Sequence, residues 1–351
     1  MTATIKRYFR PEQIRELSLV LLIGIVFVFF GTQIANYFSQ RIFNRISADV
    51  AIITVVAVGE TLVLLTRNYD LSVGSIVGFT AYFVGTALAR NPEMSPFAAF
   101  GLALLMGMGL GGLNGALVAF GKVPSIIVTF GTLAIYRAML VDLSGAKTVV
   151  TDAMPKWVID LPQQSLVSVG GFDLRPMVLL ALIVVVVFQL ITRYLPFGRR
   201  LYAIGSNPEA ARMGGLPASR LIFSAYLLCG ALAGLGGFMF LVRYGNITVV
   251  AAQGMEIQVI AAAVVGGVST NGGTGSMIGV FLGAFLINLL QQSLLRWLQI
   301  SEFWVDAFLG MLILLAVTID FVLMNRLRKW WGHTSLQVGG EAEAKESGHG
   351  A

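Results

Sequence analysis

The residues of this chain best able to do chemistry are charges set inside long apolar runs. Glu60, Asp142, Glu256, Asp306 and Asp320, with Arg137, lie in such runs or at their rims. A charge in hydrocarbon costs at least ~2.5–3.5 kcal/mol on insertion scales, so each must face a protein interior, water or a span end. Asp142, Asp306 and Asp320 read as boundary residues. Glu60 and Glu256 read as packing partners, as contacts for a transported solute, or as members of a proton relay. Softer candidates on the same runs are Asn114, Thr129, Thr132, Asn288, Gln291 and Gln292, with the rings of Phe79, Phe130 and Trp304. Hydroxyl partners beside flat apolar faces suit a neutral polyol, and interhelical hydrogen bonds account for most such residues without any ligand. The rings of charge that an ion passage wants are missing from the sequence.

Bond chemistry finds no footing. His333 and His349 both fall in the C-terminal tail and Cys229 is the single cysteine, so the core can assemble neither a nucleophile–histidine pair nor a metal cluster. The nearest approach to a phosphate cradle, Gly115 to Lys122, has five residues between its glycines and Val123 where the hydroxyl belongs. No catalysis, metal or cofactor is expected in this chain.

The elements that must position these residues are transmembrane helices. The chain is 56% hydrophobic and 12% charged, with a mean hydropathy of +0.81, against roughly 25% charged for an ordinary soluble domain. Apolar runs predict spans over about 17–35, 47–66 (carrying Asp49 and Glu60), 71–88, 96–120, 125–143, 177–195, 221–241, 276–295 and 303–323. A shorter stretch, 256–268, reads as a broken or re-entrant helix and brings the total to about ten. Without the alternation of a barrel, the fold class is an all-α integral membrane protein. Residues 1–16 form a basic N-terminal segment, 17–325 the membrane domain with a polar outside segment at 144–176, and 326–351 a solvated tail. The first span is too long for a removable signal peptide.

The net charge of +6 does not point to nucleic acid, because the cations sit at span ends. Alternation from a cytoplasmic N-terminus puts Lys6, Arg7, Arg10, Arg15, Arg67, Lys122, Arg193, Arg199, Arg200, Arg212 and Arg220 inside with the cations of the tail. Arg41, Arg45, Arg90, Lys147, Lys156, Arg175, Arg243 and Arg296 fall outside, so the bias supports both termini being cytoplasmic.

Between the sixth and seventh spans lies FGRRLYAIGSNPEAARMGGLPASR, residues 197–220. Asn207 can cap free N–H groups, Pro208 fits a first turn and Glu209 complements the dipole there, while Gly214-Gly215 and Pro217 stop the chain. A helix of about two turns at 207–215, held outside the bilayer, is the expectation. GSIVG at 74–78 and GSMIG at 275–279 also echo one another: each opens a span after a polar break, and the count of crossings makes the two copies parallel.

TRNYDLSVGSIVGF at 66–79, KVPSIIVTFGTLAIYRAML at 122–140, FGRRLYAIGSNPEAARMGG at 197–215 and AAAVVGGVSTNGGTGSMIGVFLGAF at 261–285 resemble, in order, the permease subunits of ABC importers for simple sugars of the ribose, xylose and arabinose type. The TRN before YDLSVGS and the Trp304-Val305-Asp306 segment look closest to the branch importing rhamnose or autoinducer 2. The resemblance implies a type II ABC-importer-like bundle that moves a monosaccharide across the bacterial inner membrane. It makes Asn207, Pro208, Glu209, Ala210, Ala211, Arg212 and Gly215 the coupling helix that docks on a cytoplasmic ATPase, where ATP-Mg is bound and hydrolysed. Further partners implied are a second permease subunit, identical or paralogous, an extracytoplasmic sugar-binding protein and membrane lipid. Asp70, Ser72 and Gly74 match a segment taken to lie by the translocation path, although Asp70 and Ser72 can equally cap a helix. Path residues are thus expected among Glu60, Asp70, Ser72, Asn114, Thr129, Glu256 and Asn288. Rival readings are an ABC permease for a branched-chain amino acid or nucleoside, a proton- or sodium-coupled carrier using Glu60 or Glu256, and a scaffold that transports nothing.

Overall fold

A computed structural model describes residues 11–169 and 172–299 with Trp304, Ala307, Phe308, Gly310, Met311 and Leu314. The N-terminal ten residues, the Gly170-Gly171 turn, Asp306, Asp320, the tail and most of the span expected at 303–323 lie outside the described residues. From Asp306 on the chain forms a separate unit, whose described residues are helical.

Eight described helices are long and apolar enough to cross a membrane. They are α1 (Pro11–Gln33), α2 (Gln40–Leu64), α3 (Val73–Arg90), α4 (Pro96–Ala119), α5 (Ser125–Ser144), α7 (Pro176–Tyr194), α10 (Ala218–Tyr244) and α12 (Met277–Leu298). Between them lie four shorter helices: α6 (Lys156–Asp160), α8 (Pro196–Ser206), α9 (Pro208–Met213) and α11 (Met255–Val265). The eleven residues of α11 rise only about 16 Å, half a hydrocarbon core. Strands β1 (Val167–Val169) and β2 (Phe172–Leu174) make one antiparallel hairpin in the segment after α5.

Local chemistry sets the boundaries. Ser95 Oγ accepts the Ala98 N–H with Pro96 in the first turn of α4, Asn207 does the same for α9, and Ser276 for α12. The structure corrects two expectations. Helix α2 starts seven residues before Ser47, because Gln40 and Asn44 find a partner off the helix: both amides donate to Asp173 on β2, at 2.8 Å each. Residues 196–206, expected as polar linker, form helix α8, which buries Gly198, Leu201, Ile204 and Gly205 on one side. Asp173, partly exposed, is held below the usual carboxylate range by the Ser168 hydroxyl and then by Asn44.

Helix α2 is the centre: its apolar window is wholly buried, whereas only 11% of that of α1 is. Packing around it relies on glycine, since helices in lipid gain from close approach and not from expelling water. On α4, Gly107 and Gly111 face Gly230 and Gly234 of α10. A Cβ on Gly111 would lie 2.6 Å from Gly230 Cα, and one on Gly230 would lie 2.7 Å from Gly111 Cα. The next glycines of α10 turn to other neighbours, Gly236 to Val56 of α2 and Gly237 to Val77 and Thr80 of α3. The echoed motifs work the same way. Gly74 and Gly78 open α3 against residues 251–256, and Gly279 and Gly283 of α12 lie against Gly266 and Ala262 beside α11.

Replacing Gly111 by Val is expected to destabilise the fold by about 1–3 kcal/mol or more, because both nearest neighbours are backbone. Gly109→Ala on the open side of the same helix, where a Cβ meets nothing within 4 Å, is expected to leave it intact. Thermal unfolding of the two variants in detergent checks the contrast.

Candidate functional site

Two interruptions of helical backbone meet at one end of the bundle. The first is the break Leu65–Ser72 between α2 and α3; the second is Gly266–Ser276 between α11 and α12. They touch directly: Gly273 N–H donates to the Leu65 carbonyl at 3.1 Å and the Tyr69 hydroxyl to the Thr270 carbonyl at 3.1 Å. The two helix pairs therefore run in the same sense, as the count of crossings predicts.

Behind the first break lies a buried polar cluster. The Asp70 N–H donates to Glu60 Oε1 at 3.1 Å, and Asp70 Oδ1 accepts the Ser72 N–H at 3.0 Å and the Ser72 hydroxyl at 2.6 Å. From α4, Asn114 Nδ2 reaches Ser72 Oγ at 2.7 Å and the two Asp70 oxygens at 3.3 and 3.4 Å. The Tyr136 hydroxyl lies 3.1 Å from Asn114 Oδ1, and the Tyr226 hydroxyl donates to the Tyr69 carbonyl at 2.8 Å. Thr129 Oγ1 joins at the rim, 3.4 Å from the same carbonyl. Glu60, Asp70, Ser72, Asn114 and Thr129 have no exposed surface at all. Neither carboxyl has a cation: the one ion pair among the described residues is Arg243–Asp49. Neutral donors from four elements satisfy the group, which is how a buried polar network stabilises one arrangement of the chain.

The sequence reading thus names five residues that the fold brings together. Glu256 and Asn288 stand apart. Glu256 begins α11, half-buried beside Gly74 and electrostatically coupled to Arg137 of α5. Asn288 is buried on α12, and its Nδ2 has no partner among the described residues. Asp142 is exposed at the end of α5, as a boundary residue should be. Tyr69, Tyr136 and Tyr226 are missing from the sequence reading. Their signal was a hydroxyl inside an apolar run, where it needs a partner.

The breaks are tied to the basic end of the molecule. Arg67, with φ of +65°, turns back so that its Nε donates to the Gly205 carbonyl at 2.5 Å and its Nη2 to the Ser206 carbonyl at 3.0 Å, closing the C-terminus of α8. Tyr202 of α8 donates to the Gly275 carbonyl at 2.7 Å. On α1, Arg15 Nη1 donates to the Gly267 carbonyl at 2.9 Å while Glu16 accepts the Ser276 hydroxyl at 2.5 Å, so adjacent residues hold both sides of the second break. Helix α9 follows α8 directly. Asn207 caps it through Ala210 N–H at 3.0 Å, and its outer surface shows Pro208, Glu209, Ala210, Arg212 and Met213, the last 89% exposed. A groove of about 360 Å³ lies between α8 and α9, lined by Ala203, Ser206, Asn207, Ala210 and Ala211.

The opposite end is closed by Asp49. Its Oδ1 pairs with Arg243 Nε at 3.1 Å and accepts the Tyr244 hydroxyl at 3.4 Å, and its Oδ2 accepts Gln292 Nε2 at 3.1 Å, joining α2, α10 and α12.

Asn114→Ala removes the one amide among the described residues that donates to Asp70 Oδ2. A loss of about 1–3 kcal/mol is expected, since a buried acceptor is left without its donor. Thermal unfolding of the purified variant measures it, and an unchanged midpoint would mean that the cluster does not hold the break.

Comparison with known proteins agrees with this architecture. The family described as branched-chain amino acid transport system / permease component matches residues 42–317. The chain is 36% identical over 308 residues to the autoinducer 2 import system permease protein LsrC of Yersinia enterocolitica, covering 87% of this chain and 82% of that protein. Proteins of the same name from Yersinia pseudotuberculosis and Yersinia pestis are likewise 36% identical over 308 residues, covering 87% of this chain and 84% of each of them. No solved structure matches. A match across α2 to α12, together with eight membrane-length helices, places the chain in the branched-chain amino acid transport system / permease component family.

Proposed function

We propose that this chain is the membrane-spanning subunit of an ATP-driven importer in the bacterial inner membrane, and that its cargo is a small polyhydroxylated solute: autoinducer 2, rhamnose or a pentose. The names of the relatives support the cargo class. The family description speaks for branched-chain amino acids, which remain the second reading. The chain itself is a transport subunit. ATP-Mg binds and is hydrolysed in a separate cytoplasmic ATPase, which meets Asn207 to Arg212 and Gly215. A second permease subunit and an extracytoplasmic binding protein complete the importer, with lipid around the exposed faces of α1, α5 and α7.

One observation carries the mechanical part of the reading. Helix α9 is an exposed, capped element of about two turns that follows α8 after the single extended residue Asn207, and α8 is bonded through Arg67, Tyr202 and Ser206 to both helix breaks. A push on α9 therefore reaches the backbone at Leu65–Ser72 and Gly266–Ser276 without passing through a flexible linker. The excess of arginine at that end supports a cytoplasmic position. Alternating access follows if the breaks have two arrangements and closure of the ATPase selects between them. Glu60, Asp70, Ser72, Asn114 and Thr129 then act as the latch of one arrangement, with cargo passing on the Glu256 side; Asn288 belongs to the path only if it opens in the other arrangement.

Glu209→Lys is expected to lower ATP-dependent uptake about tenfold or more while the protein still reaches the membrane, since it reverses the charge of the docking helix without touching a span. Uptake that survives both this change and loss of the ATPase, and follows the proton gradient, would overturn the importer reading. Arg67→Gly keeps the left-handed turn and removes the bonds to α8. It is expected to leave ATPase docking unchanged and to reduce uptake per ATP hydrolysed, measured with the reconstituted transporter.

A further inference from the structure

Residues 245–254 between α10 and α11 read from the sequence as an outside segment, and the structure corrects this: they turn back along α5 to the level of Arg137. Ile247 pairs with Val149 outside α5, and from there the backbone descends so that the carbonyls of Val249 and Ala251 reach the Arg137 guanidinium at 3.2 and 2.7 Å. Arg137 is the thirteenth residue of the twenty-residue span α5, about 18 Å along the axis from Ser125. The same segment lies on the glycines that open α3: a Cβ on Gly78 would come within 2.5 Å of the Ala251 carbonyl and 3.1 Å of Arg137 Nη1. Non-helical backbone at this depth persists only where protein covers it or where it lines a water-filled cavity.

Exposure decides which. Gln253 is exposed, and Arg137 and Glu256 are each partly so; Val250 and Ile257 on the same segment are 59% and 54% exposed. A guanidinium that retains open surface inside span α5, with the Glu256 carboxylate near it, cannot face acyl chains without a cost of several kcal/mol. The face they share is therefore an aqueous one. Arg137 has two backbone carbonyls on one nitrogen, leaving its other donors open among the described residues, and Glu256 accepts from no side chain there. Their charges offset one another, so the site is neutral overall while offering fixed donors and acceptors.

Resting on the importer reading, we infer that Arg137, Gln253 and Glu256 form the cargo-contacting surface of the translocation path, with Glu256 and Gln253 accepting from hydroxyls of an uncharged polyhydroxylated solute and Arg137 donating to its oxygens. The glycines at 74 and 78 are what let the re-entrant segment lie deep enough to present them.

The test uses the permease with its ATPase and binding protein in proteoliposomes, and autoinducer 2 as the probe solute. Cys229 is the single native cysteine of this chain and is buried, so labelling is read on this chain, where a cysteine placed at Gln253 is the accessible thiol. Gln253→Cys is expected to react with a charged, water-soluble thiol reagent at least about tenfold faster than Leu179→Cys on the apolar exposed surface of α7, and autoinducer 2 should slow that reaction. Glu256→Gln and Arg137→Lys are expected to reduce solute moved per ATP hydrolysed about tenfold, the loss of one charge-assisted hydrogen bond, with ATP hydrolysis retained. An unreactive Gln253→Cys overturns the inference, as does an unchanged transport ratio in both charge variants. Protection by leucine and not by autoinducer 2 or rhamnose overturns the hydroxylated cargo class. Uptake by the unaltered protein that needs no ATPase would instead remove the importer reading, and the labelling pattern would still decide whether this face lines the path.

Discussion

Ending a helix where protein packs over the break frees backbone groups that water cannot reach, and this constraint shapes the rest of the molecule. Two such interruptions, Leu65–Ser72 and Gly266–Ser276, sit against one another and use each other as partners. What the breaks do not supply is provided by side chains that converge from α1, α4, α5, α8 and α10. The polar residues of this protein are thus concentrated where the backbone is irregular, and the long helices between are left to apolar packing and glycine contacts.

The same constraint explains why the basic end and the breaks form one mechanical layer. Arg67 closes α8, Arg15 caps the end of α11, and Tyr202 reaches the loop before α12. Each of these bonds joins two elements at the basic end through a backbone carbonyl at or beside a helix terminus. A displacement of α8 and α9 must break or move them. At the other end a single carboxylate, Asp49, gathers Arg243, Tyr244 and Gln292. Removing one partner from such a buried pair leaves an uncompensated charge, so the closure there is also either made or lost as a unit.

The cluster around Asp70 and the face around Glu256 divide what a transport protein needs. The first is fully enclosed and held by neutral donors; it contributes rigidity. The second has charge and open surface, and it is the surface proposed above to meet the solute. Helix α3 links them, because Asp70 and Ser72 precede its first turn while Gly74 and Gly78 in its first two turns receive the re-entrant segment.

Sequence alone determined the class of the protein and the order of its spans. Runs of apolar length, cations at span ends and the Asn207-Pro208-Glu209 start signal are local properties, and a local rule suffices for each. It also pointed to Glu60, Asp70, Ser72, Asn114 and Thr129, since a polar residue in an apolar run must have a reason. What it could not decide was which of them meet. Asp70 and Asn114 are 44 positions apart, and only the crossing of α4 and α10 on Gly107, Gly111, Gly230 and Gly234 brings them within bonding distance. Helix α8 escaped notice because its apolar positions bury against the breaks and not in lipid. Asp49 and Arg243 became an ion pair, and Arg137 and Glu256 near neighbours, only through tertiary packing, because opposite charges far apart in the chain have no local signature.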